Sequence, residues 1–348
     1  MNDSNINSES KNSENEEVTK KRLLSIDFFK GLTILLMVFV NTTGHFDNIP
    51  VWSKHPEYYG LTYVDLIAPF FLFMMALNFR SSFSRRLKEF GRLRAYFRFF
   101  YRYLIFIGLG MALSIGETEA GIFTFNWGTL QVLGLSGLIA LPFIEQKKYI
   151  RISFAILLFI SHQLLLETPF KQIIYDGAEG GFFGSLSWAG MMLLSTVLAD
   201  GISSYNDGNF KKPLQVFGYG GMILIVIGIS LNSFYVFNIN FLVSRQYMTI
   251  SYSLISIGIA SLILLLIFYV FEIFGRSHPI LQKDNIISVL GKNALMLFII
   301  HLIVIFVSFN FFPDDLLLIG ALMVGIVSVI IIWITGYFFH KIELIVII

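Results

Sequence analysis

The feature that most constrains this chain is a membrane-length apolar stretch at residues 22–76 that is interrupted by charged and polar side chains. A run of about 20 apolar residues is long enough to cross the hydrocarbon core of a bilayer as a helix. Ionisable side chains are costly in that core, and where they occur they usually mark a site or a pathway. The interrupting residues are ones that a catalyst can use: Asp27, Lys30, Asn41, His55 and Asp65.

The composition of the whole chain also requires a membrane. Of its 348 residues, 55% are hydrophobic and only 14% are charged. This is more apolar surface than one water-soluble core can bury. The apolar runs are continuous rather than alternating, which favours helices over a closed barrel. We therefore predict an all-α, polytopic transmembrane bundle of about ten helices, at 24–45, 61–79, 97–115, 127–144, 149–166, 182–199, 213–232, 249–274, 287–308 and 315–340.

The distribution of basic residues predicts the orientation of this bundle. With the N-terminus in the cytoplasm, 19 of the 25 Lys and Arg residues lie on the cytoplasmic side, three in outer loops and three inside helices. Cytoplasmic loops usually carry such an excess. We predict that both termini are cytoplasmic, that residues 1–20 form a disordered tail and that residues 21–348 form the transmembrane domain. Because the basic residues follow topology, a nucleic acid is not an expected partner.

The polar residues of the first two predicted helices fall at both membrane surfaces. Asn41 lies fourteen residues after Asp27, which is about 21 Å along a helix axis. His55 lies in the following loop, and Thr62 with Asp65 forms a capping pattern at the start of the second helix. His55, Asn41 and Asp65 are therefore expected to converge on the outer side.

Ordinary structural roles are open to each of these residues. His55 could be a solvated loop histidine, and Asp65 could serve only as a helix cap. Asn41 could hydrogen-bond a neighbouring helix, and Asp27 could pair with Lys30 along one helix. The other interpretation is catalysis, because a histidine transfers protons near neutral pH and a carboxylate can fix its tautomer.

Seven segments carry a resemblance to a known family. They are RLLSIDFFKG at 22–31, LMVFVN at 36–41, KHP at 54–56, GLT at 60–62, DLIAPFF at 65–71 and, more weakly, GTLQVLG at 128–134 and GKNA at 291–294, followed by His301. In this order they resemble the heparan-alpha-glucosaminide N-acetyltransferase family. The match is specific in the first 76 residues and weaker afterwards.

The resemblance implies an integral membrane enzyme that takes acetyl from cytosolic acetyl-CoA and delivers it to an amino sugar on the other side. The family's catalytic histidine falls on His55, and its functional asparagine and two aspartates fall on Asn41, Asp27 and Asp65. Lys30 replaces the usual arginine, which keeps the charge but removes the bidentate fork. Membrane lipids and a second copy of the chain are the further expected partners, and no metal is expected.

Further residues are candidates for binding the two substrates. Those for the phosphates and adenine of acetyl-CoA are Lys30, Arg98, Arg102, Lys292 and Asn293, although basic residues at this surface also bind lipid headgroups. Gln131 is a candidate for the acceptor, or for bridging two helices. His301 is interpreted as structural.

Two other functions are open at this stage. The opening motif also resembles the broader type-3 acyltransferases, which suggests O-acylation of a surface polysaccharide. A transporter of a sugar or lipid-linked sugar would use the same polar residues to line a path. The lack of cysteine, the short loops and the lack of a targeting segment favour a prokaryotic plasma-membrane enzyme that acts on a glucosamine-type sugar.

Overall fold

The computed structural model describes residues 23–117, 123–206 and 211–344, and the predicted tail at residues 1–20 lies outside them. The helices within these ranges are α1 (Leu24–Thr43), α2 (Ile67–Phe90), α3 (Arg92–Leu113), α4 (Thr129–Ala140), α5 (Lys148–Leu165), α6 (Phe170–Asp176), α7 (Gly181–Asn206), α8 (Lys211–Ser233), α9 (Ile250–Phe268), α10 (Ser288–Gly291), α11 (Ala294–Phe311) and α12 (Leu318–Lys341). Two three-residue strands, β1 (Ile115–Glu117) and β2 (Phe123–Phe125), pair antiparallel between α3 and α4. The predicted all-α class is confirmed, with this small hairpin as an addition.

Nine of the helical segments in the described ranges are long and apolar enough to cross a membrane. A tenth, Thr129–Phe143, is apolar but shorter. It still connects the two ends of the bundle, since Gly128 borders the same cavity as Ser114 at the end of α3. At its other end, Glu145 lies 3.4 Å from Arg92 at the start of α3. The predicted polytopic bundle is therefore confirmed, with nine candidate spans and one shorter apolar helix in the described ranges where about ten spans are predicted.

Two helices extend past their predicted boundaries into charged sequence. α2 continues from the predicted end at 79 to Phe90, and α3 begins at Arg92 rather than near 97. Hydropathy falls at the charged residues, but Arg, Lys and Glu are good helix formers, so the helices do not end there. The break is Gly91, whose φ of 79° is a conformation that glycine adopts without strain.

The predicted helix 287–308 is two helices in the structure, α10 and α11. Its first part packs backbone against backbone on α1. A Cβ on Gly291 would lie 2.0 Å from the carbonyl oxygen of Asp27, and one on Gly31 would lie 1.9 Å from that of Ile287. The chain turns at Lys292 and Asn293 after this close contact, before α11 begins.

The first and last described residues lie at the same end of the bundle, which we call the chain-end face. The backbone N–H of Ser25 donates to Glu272 Oε1 (3.3 Å) next to the end of α9. The carbonyl oxygen of Leu344 accepts from Asn293 Nδ2 (2.8 Å). This agrees with an even number of crossings, and the cytoplasmic location of this face remains a prediction.

The protein interior is centred on α7. In its most apolar window 78% of the residues are buried, against 17% for α8 and α11 and 22% for α12. The bulky side chains of α8, α11 and α12 thus project outward as an apolar surface, as expected for helices that face lipid.

Candidate active site

A cavity of about 240 Å³ lies near the end of the bundle opposite the chain-end face, and we call it the outer cavity. Residues from α1, α2, α3, α4 and α11 line it, together with the loops before α2, α7 and α9. The polar side chains in its wall are those of Asn41, His55, Asp65, Ser114, Thr129, Gln131, Glu179, Arg245 and His301. The cavity thus brings together four of the predicted site residues: Asn41, His55, Asp65 and Gln131.

His55 and Asp65 form a close pair at this cavity. His55 Nδ1 lies 2.6 Å from Asp65 Oδ1. Because a carboxylate only accepts hydrogen bonds, Nδ1–H is the donor and Nε2 keeps its lone pair for a reactant. The Asp65 side chain is 0% exposed, whereas 40% of the His55 side chain is exposed. The buried acid therefore fixes the tautomer of an accessible imidazole.

The predicted capping pattern explains why Asp65 is held so firmly. Thr62 N–H donates to Asp65 Oδ2 (2.8 Å) at the start of the short 3₁₀ turn Tyr63–Leu66, which runs into α2. The Thr62 hydroxyl also donates to the carbonyl oxygen of Lys54 (3.1 Å), next to His55. Tyr252 OH from α9 donates to the carbonyl oxygen of Asp65 (2.7 Å). Asp65 is therefore both a helix cap and the partner of His55.

Arg245 connects Asp65 to a second buried carboxylate, that of Glu179. Arg245 Nε lies 3.5 Å from Asp65 Oδ1, and Nη1 donates to Glu179 Oε1 at 2.6 Å. Burial acts to lower the pKa of Arg245, but the charges of Glu179 and Asp65 outweigh it and leave this pKa above its ordinary value. The guanidinium thus stays charged and joins both carboxylates into one network.

Neither Glu179 nor Arg245 is predicted from the sequence as a site residue. The signal for Glu179 is a single charge inside the glycine-rich segment 177–181, just before a buried apolar helix. The signal for Arg245 is that it is one of only three basic residues predicted in the outer loops. Their pairing could not be anticipated, because it joins two loops that are distant along the chain.

Asn41 is oriented by His301 across the outer cavity. Asn41 Nδ2 lies 3.4 Å from His301 Nε2, and the His301 ring also bonds the carbonyl oxygen of Phe298 through Nδ1. Since that carbonyl can only accept, Nδ1 carries the proton and Nε2 accepts from the Asn41 amide. His301 is wholly buried, and it lines the cavity in addition to supporting Asn41.

Gln131 ties the start of α4 to the end of α3. Its Nε2 donates to Ser114 Oγ (2.9 Å) and to the carbonyl oxygen of Asn126 (3.0 Å). Its Oε1 accepts from Gly128 N–H (3.1 Å). Both amide hydrogens are thus used within the protein, and one lone pair of Oε1 remains for a ligand.

A second cavity, of about 630 Å³, lies at the chain-end face, and we call it the inner cavity. It is lined by Lys292, Asn293, Tyr337, His340, Lys341 and Glu343. Lys292 also pairs with Asp284 at 2.5 Å. Two of the residues predicted to bind acetyl-CoA, Lys292 and Asn293, therefore lie together in the wall of this cavity.

The other residues predicted at this surface lie outside both cavities. Asp27 is buried in α1 against Gly291, one helical turn from Lys30. Arg98 lies 3.8 Å from the centroid of the Phe90 ring. Arg102 lies 5.9 Å from that of Phe99. In the described ranges, no group of three or more His, Cys, Asp or Glu side chains is placed to hold a metal ion.

Known proteins resemble this chain over its N-terminal two thirds. Residues 22–268 match the family model described as heparan-alpha-glucosaminide N-acetyltransferase, catalytic. Over 124 residues the chain is 32% identical to heparan-alpha-glucosaminide N-acetyltransferase of Mus musculus, which covers 35% of this chain and 18% of that protein. Over 55 residues it is 46% identical to the Homo sapiens protein of the same name, and this match covers 16% of this chain and 8% of that protein. The matches thus span less than a fifth of these relatives' lengths, while the family model covers more than half of this chain. The chain belongs to the heparan-alpha-glucosaminide N-acetyltransferase family.

Proposed function

We propose that the protein is a membrane-bound acetyltransferase that moves acetyl from acetyl-CoA to the amine of a glucosamine-type sugar. The observation that carries the proposal is the His55–Asp65 pair in the outer cavity, with Nδ1 engaged at 2.6 Å and Nε2 available. A histidine oriented by a buried carboxylate is the arrangement that general-base and nucleophilic acyl transfer both use. Membership of an acetyltransferase family supports the same reaction.

In the general-base route, His55 Nε2 removes one proton from the ammonium form of the acceptor and leaves a neutral amine. The amine nitrogen then attacks the thioester carbon, the C–N bond forms and the C–S bond breaks. A second N–H proton passes to the sulfur, which leaves as the free thiol of CoA. Asp65 stabilises the imidazolium that forms and keeps the ring in place.

In the nucleophilic route, His55 Nε2 attacks the thioester carbon first and carries the acetyl group. CoA leaves before the amine takes the acetyl from the imidazole, so the kinetics are ping-pong. Rapid quenching of protein incubated with acetyl-CoA alone distinguishes the routes. Acetyl bound to His55 supports this second route, and a requirement for both substrates before any CoA release supports the first.

Asn41 is proposed to stabilise the thioester oxygen as negative charge develops on it. Its Nδ2 carries two hydrogens, and only one is directed to His301 Nε2. The second hydrogen can be donated to an oxyanion. A hydrogen-bond donor that is already in position stabilises the transition state of acyl transfer strongly. His301 is then a positioning residue, because it acts through Asn41.

The acetyl donor is proposed to bind from the chain-end face. Lys292, Lys341 and His340 give the inner cavity a basic wall suited to phosphates. Lys30, Arg98 and Arg102 remain predicted contributors to acetyl-CoA binding at that face, and Asp27 remains a predicted catalytic residue. The pantetheine arm of acetyl-CoA would pass between helices to bring its thioester to the outer cavity, where Gln131 Oε1 is a predicted contact for the acceptor.

Purified protein in sealed proteoliposomes tests the proposal. We expect acetyl-CoA and glucosamine to give N-acetylglucosamine, with the two substrates supplied on opposite sides of the membrane. Acetylation of a hydroxyl instead of the amine would favour the polysaccharide O-acyltransferase function. Uptake of glucosamine without acetyl-CoA, and without any acetylated product, would favour a transporter.

A further inference from the structure

The backbone of Glu179 is held in a conformation that its residue type disfavours. Its φ is 55°, and the two residues after it, Gly180 and Gly181, have φ values of 77° and 61°. A non-glycine residue in this left-handed region is unfavourable, because its Cβ lies too close to the following carbonyl oxygen. Trp188 Nε1 donates to the Glu179 carbonyl oxygen (3.2 Å) and helps to hold the turn. Strain of this kind persists mainly where the position of a side chain matters.

One oxygen of the Glu179 carboxylate has no donor. Oε1 is bonded by Arg245, but Oε2 is buried and without a hydrogen-bond partner among the described residues. Glu179 is only 5% exposed and lines the outer cavity. A buried carboxylate oxygen without a hydrogen-bond donor is energetically unfavourable. A ligand that donates a hydrogen bond to Oε2 would remove this cost.

The net charge of the cavity wall indicates which kind of hydrogen-bond donor would bind Glu179 Oε2. Its formally charged residues are Asp65, Glu179 and Arg245, whereas Asn41, Gln131 and the other polar members are neutral. With His55 and His301 in their neutral forms, the wall has a net charge of −1. A cation with several N–H groups would neutralise it and supply the missing donor, whereas a neutral hydroxyl would supply only the donor.

We propose that Glu179 recognises the acceptor as its protonated amine, with Oε2 accepting a hydrogen bond from the ammonium group. Glu179 is thus the residue that selects a cationic amino sugar over a neutral sugar. This inference rests on the proposed function for the fate of the bound amine. In the general-base route, one ammonium proton passes to His55 Nε2 before attack, a second passes to the departing sulfur, and the third stays on the amide nitrogen.

The same contact explains how product leaves. The acetylated nitrogen is a neutral amide with one hydrogen, so it can no longer balance the charge of Glu179. The site therefore binds the amine more tightly than the amide. The favourable interaction with the charged substrate is therefore lost once the acetyl group has been transferred, and the product dissociates more easily.

Equilibrium binding to the purified full-length protein tests the inference without turnover. The probes are glucosamine and glucose, which differ at carbon 2 by an amine and a hydroxyl, and the readout is the ratio of their Kd values. We expect the wild type to bind glucosamine about tenfold tighter or more, as charge-assisted hydrogen bonds allow. Glu179→Gln keeps the shape and the Oε1 contact with Arg245 but removes the charge, so it should bring the ratio close to one.

Glu167→Gln is the matched control, because Glu167 is exposed, bonds Asn238 and Asn240, and lies outside the cavity wall. It should keep the wild-type ratio, and Glu179→Asp should recover part of it. An unchanged preference in Glu179→Gln overturns the inference. A wild type that binds glucose as tightly as glucosamine also overturns it, even if the variant fails to fold.

The outcomes also separate this inference from the proposed function. Acetylation of glucosamine together with an unchanged ratio in Glu179→Gln rejects the role of Glu179 and leaves the acetyltransferase function standing. A preference for glucosamine that depends on Glu179, without acetyl transfer from acetyl-CoA, supports the recognition site and rejects the function.

Discussion

Two ionic networks at opposite ends of the bundle differ in what surrounds them. In the outer network, Arg245 joins the carboxylates of Asp65 and Glu179, and Asp65 also holds His55. In the inner network, the carboxylate of Asp200 lies between two guanidinium groups, those of Arg80 and Arg151. The outer network lines a cavity and contains an imidazole, whereas Arg151 lies in the wall of neither cavity.

A buried charge does not by itself indicate a reactive site. Arg151 is wholly buried and donates to Thr196 Oγ1 (2.9 Å) as well as to Asp200. Its side chain therefore ties α5 to α7. The outer network offers a lone pair on His55 and an oxygen on Glu179 to a space that a ligand can enter. We interpret the inner network as structural and the outer network as chemical.

The largest expected effect is that of His55→Ala on acetyl transfer. Removing a general base or nucleophile should lower kcat by about 10³-fold. The thermal unfolding temperature should change little, because 40% of this side chain is exposed. His45→Ala is the control, since His45 pairs with Asp314 at the same end but lies outside the cavity wall. Comparable rates for the two variants would remove His55 from the reaction.

Asp200→Asn should act on stability instead of chemistry. It leaves the guanidinium of Arg151 buried without its carboxylate, which should lower the free energy of unfolding by about 3 kcal/mol. Glu89→Gln breaks an exposed pair with Arg86 and should cost less than about 0.5 kcal/mol. Thermal unfolding in detergent measures both, and kcat per folded molecule should stay at the wild-type value. A loss of kcat without a loss of stability would make the inner network part of the chemistry.

Arg245→Lys should have an intermediate effect. A lysine keeps the charge but cannot reach both Asp65 and Glu179 with one planar fork, so kcat/KM for the acceptor should fall about tenfold. The KM for acetyl-CoA should not change. Arg86→Lys, at an exposed site on α2, serves as the control. Equal kcat/KM values for wild type and Arg245→Lys would show that a single charge is enough at this position.

The smallest effect is expected for Gln131→Ala. This change removes the bonds to Ser114, Asn126 and Gly128 and the predicted Oε1 contact with the acceptor, and it should raise the acceptor KM about threefold. A rise of about a hundredfold or more would mean that Gln131 contributes directly to acceptor binding on the scale of a charged group.

The sequence predicts those features that depend on local properties. Hydropathy locates the membrane helices, and the Thr62–Asp65 capping pattern is readable because its members are three residues apart. The convergence of His55 and Asp65 follows from the same short segment. Helix ends were less predictable where charged helix formers extend α2 to Phe90 and where backbone packing against α1 separates α10 from α11.

Features that depend on distant pairing could not be predicted. From the sequence, Arg151 is only one of many basic residues on the predicted cytoplasmic side. The fold places it beside Asp200, which lies 49 residues later in the chain. Likewise, nothing local to Glu179 or Arg245 reveals that both reach the neighbourhood of Asp65. The contact between Asn41 and His301 joins residues 260 positions apart, so only the assembled bundle gives His301 its place in the cavity.

A structure of the protein with bound acetyl-CoA would show how far the acetyl donor reaches between the two ends of the bundle. We predict phosphates beside Lys292 in the inner cavity and the thioester carbon in the outer cavity, within reach of His55 Nε2. A thioester that stays at the chain-end face, with no passage to His55, would contradict the account.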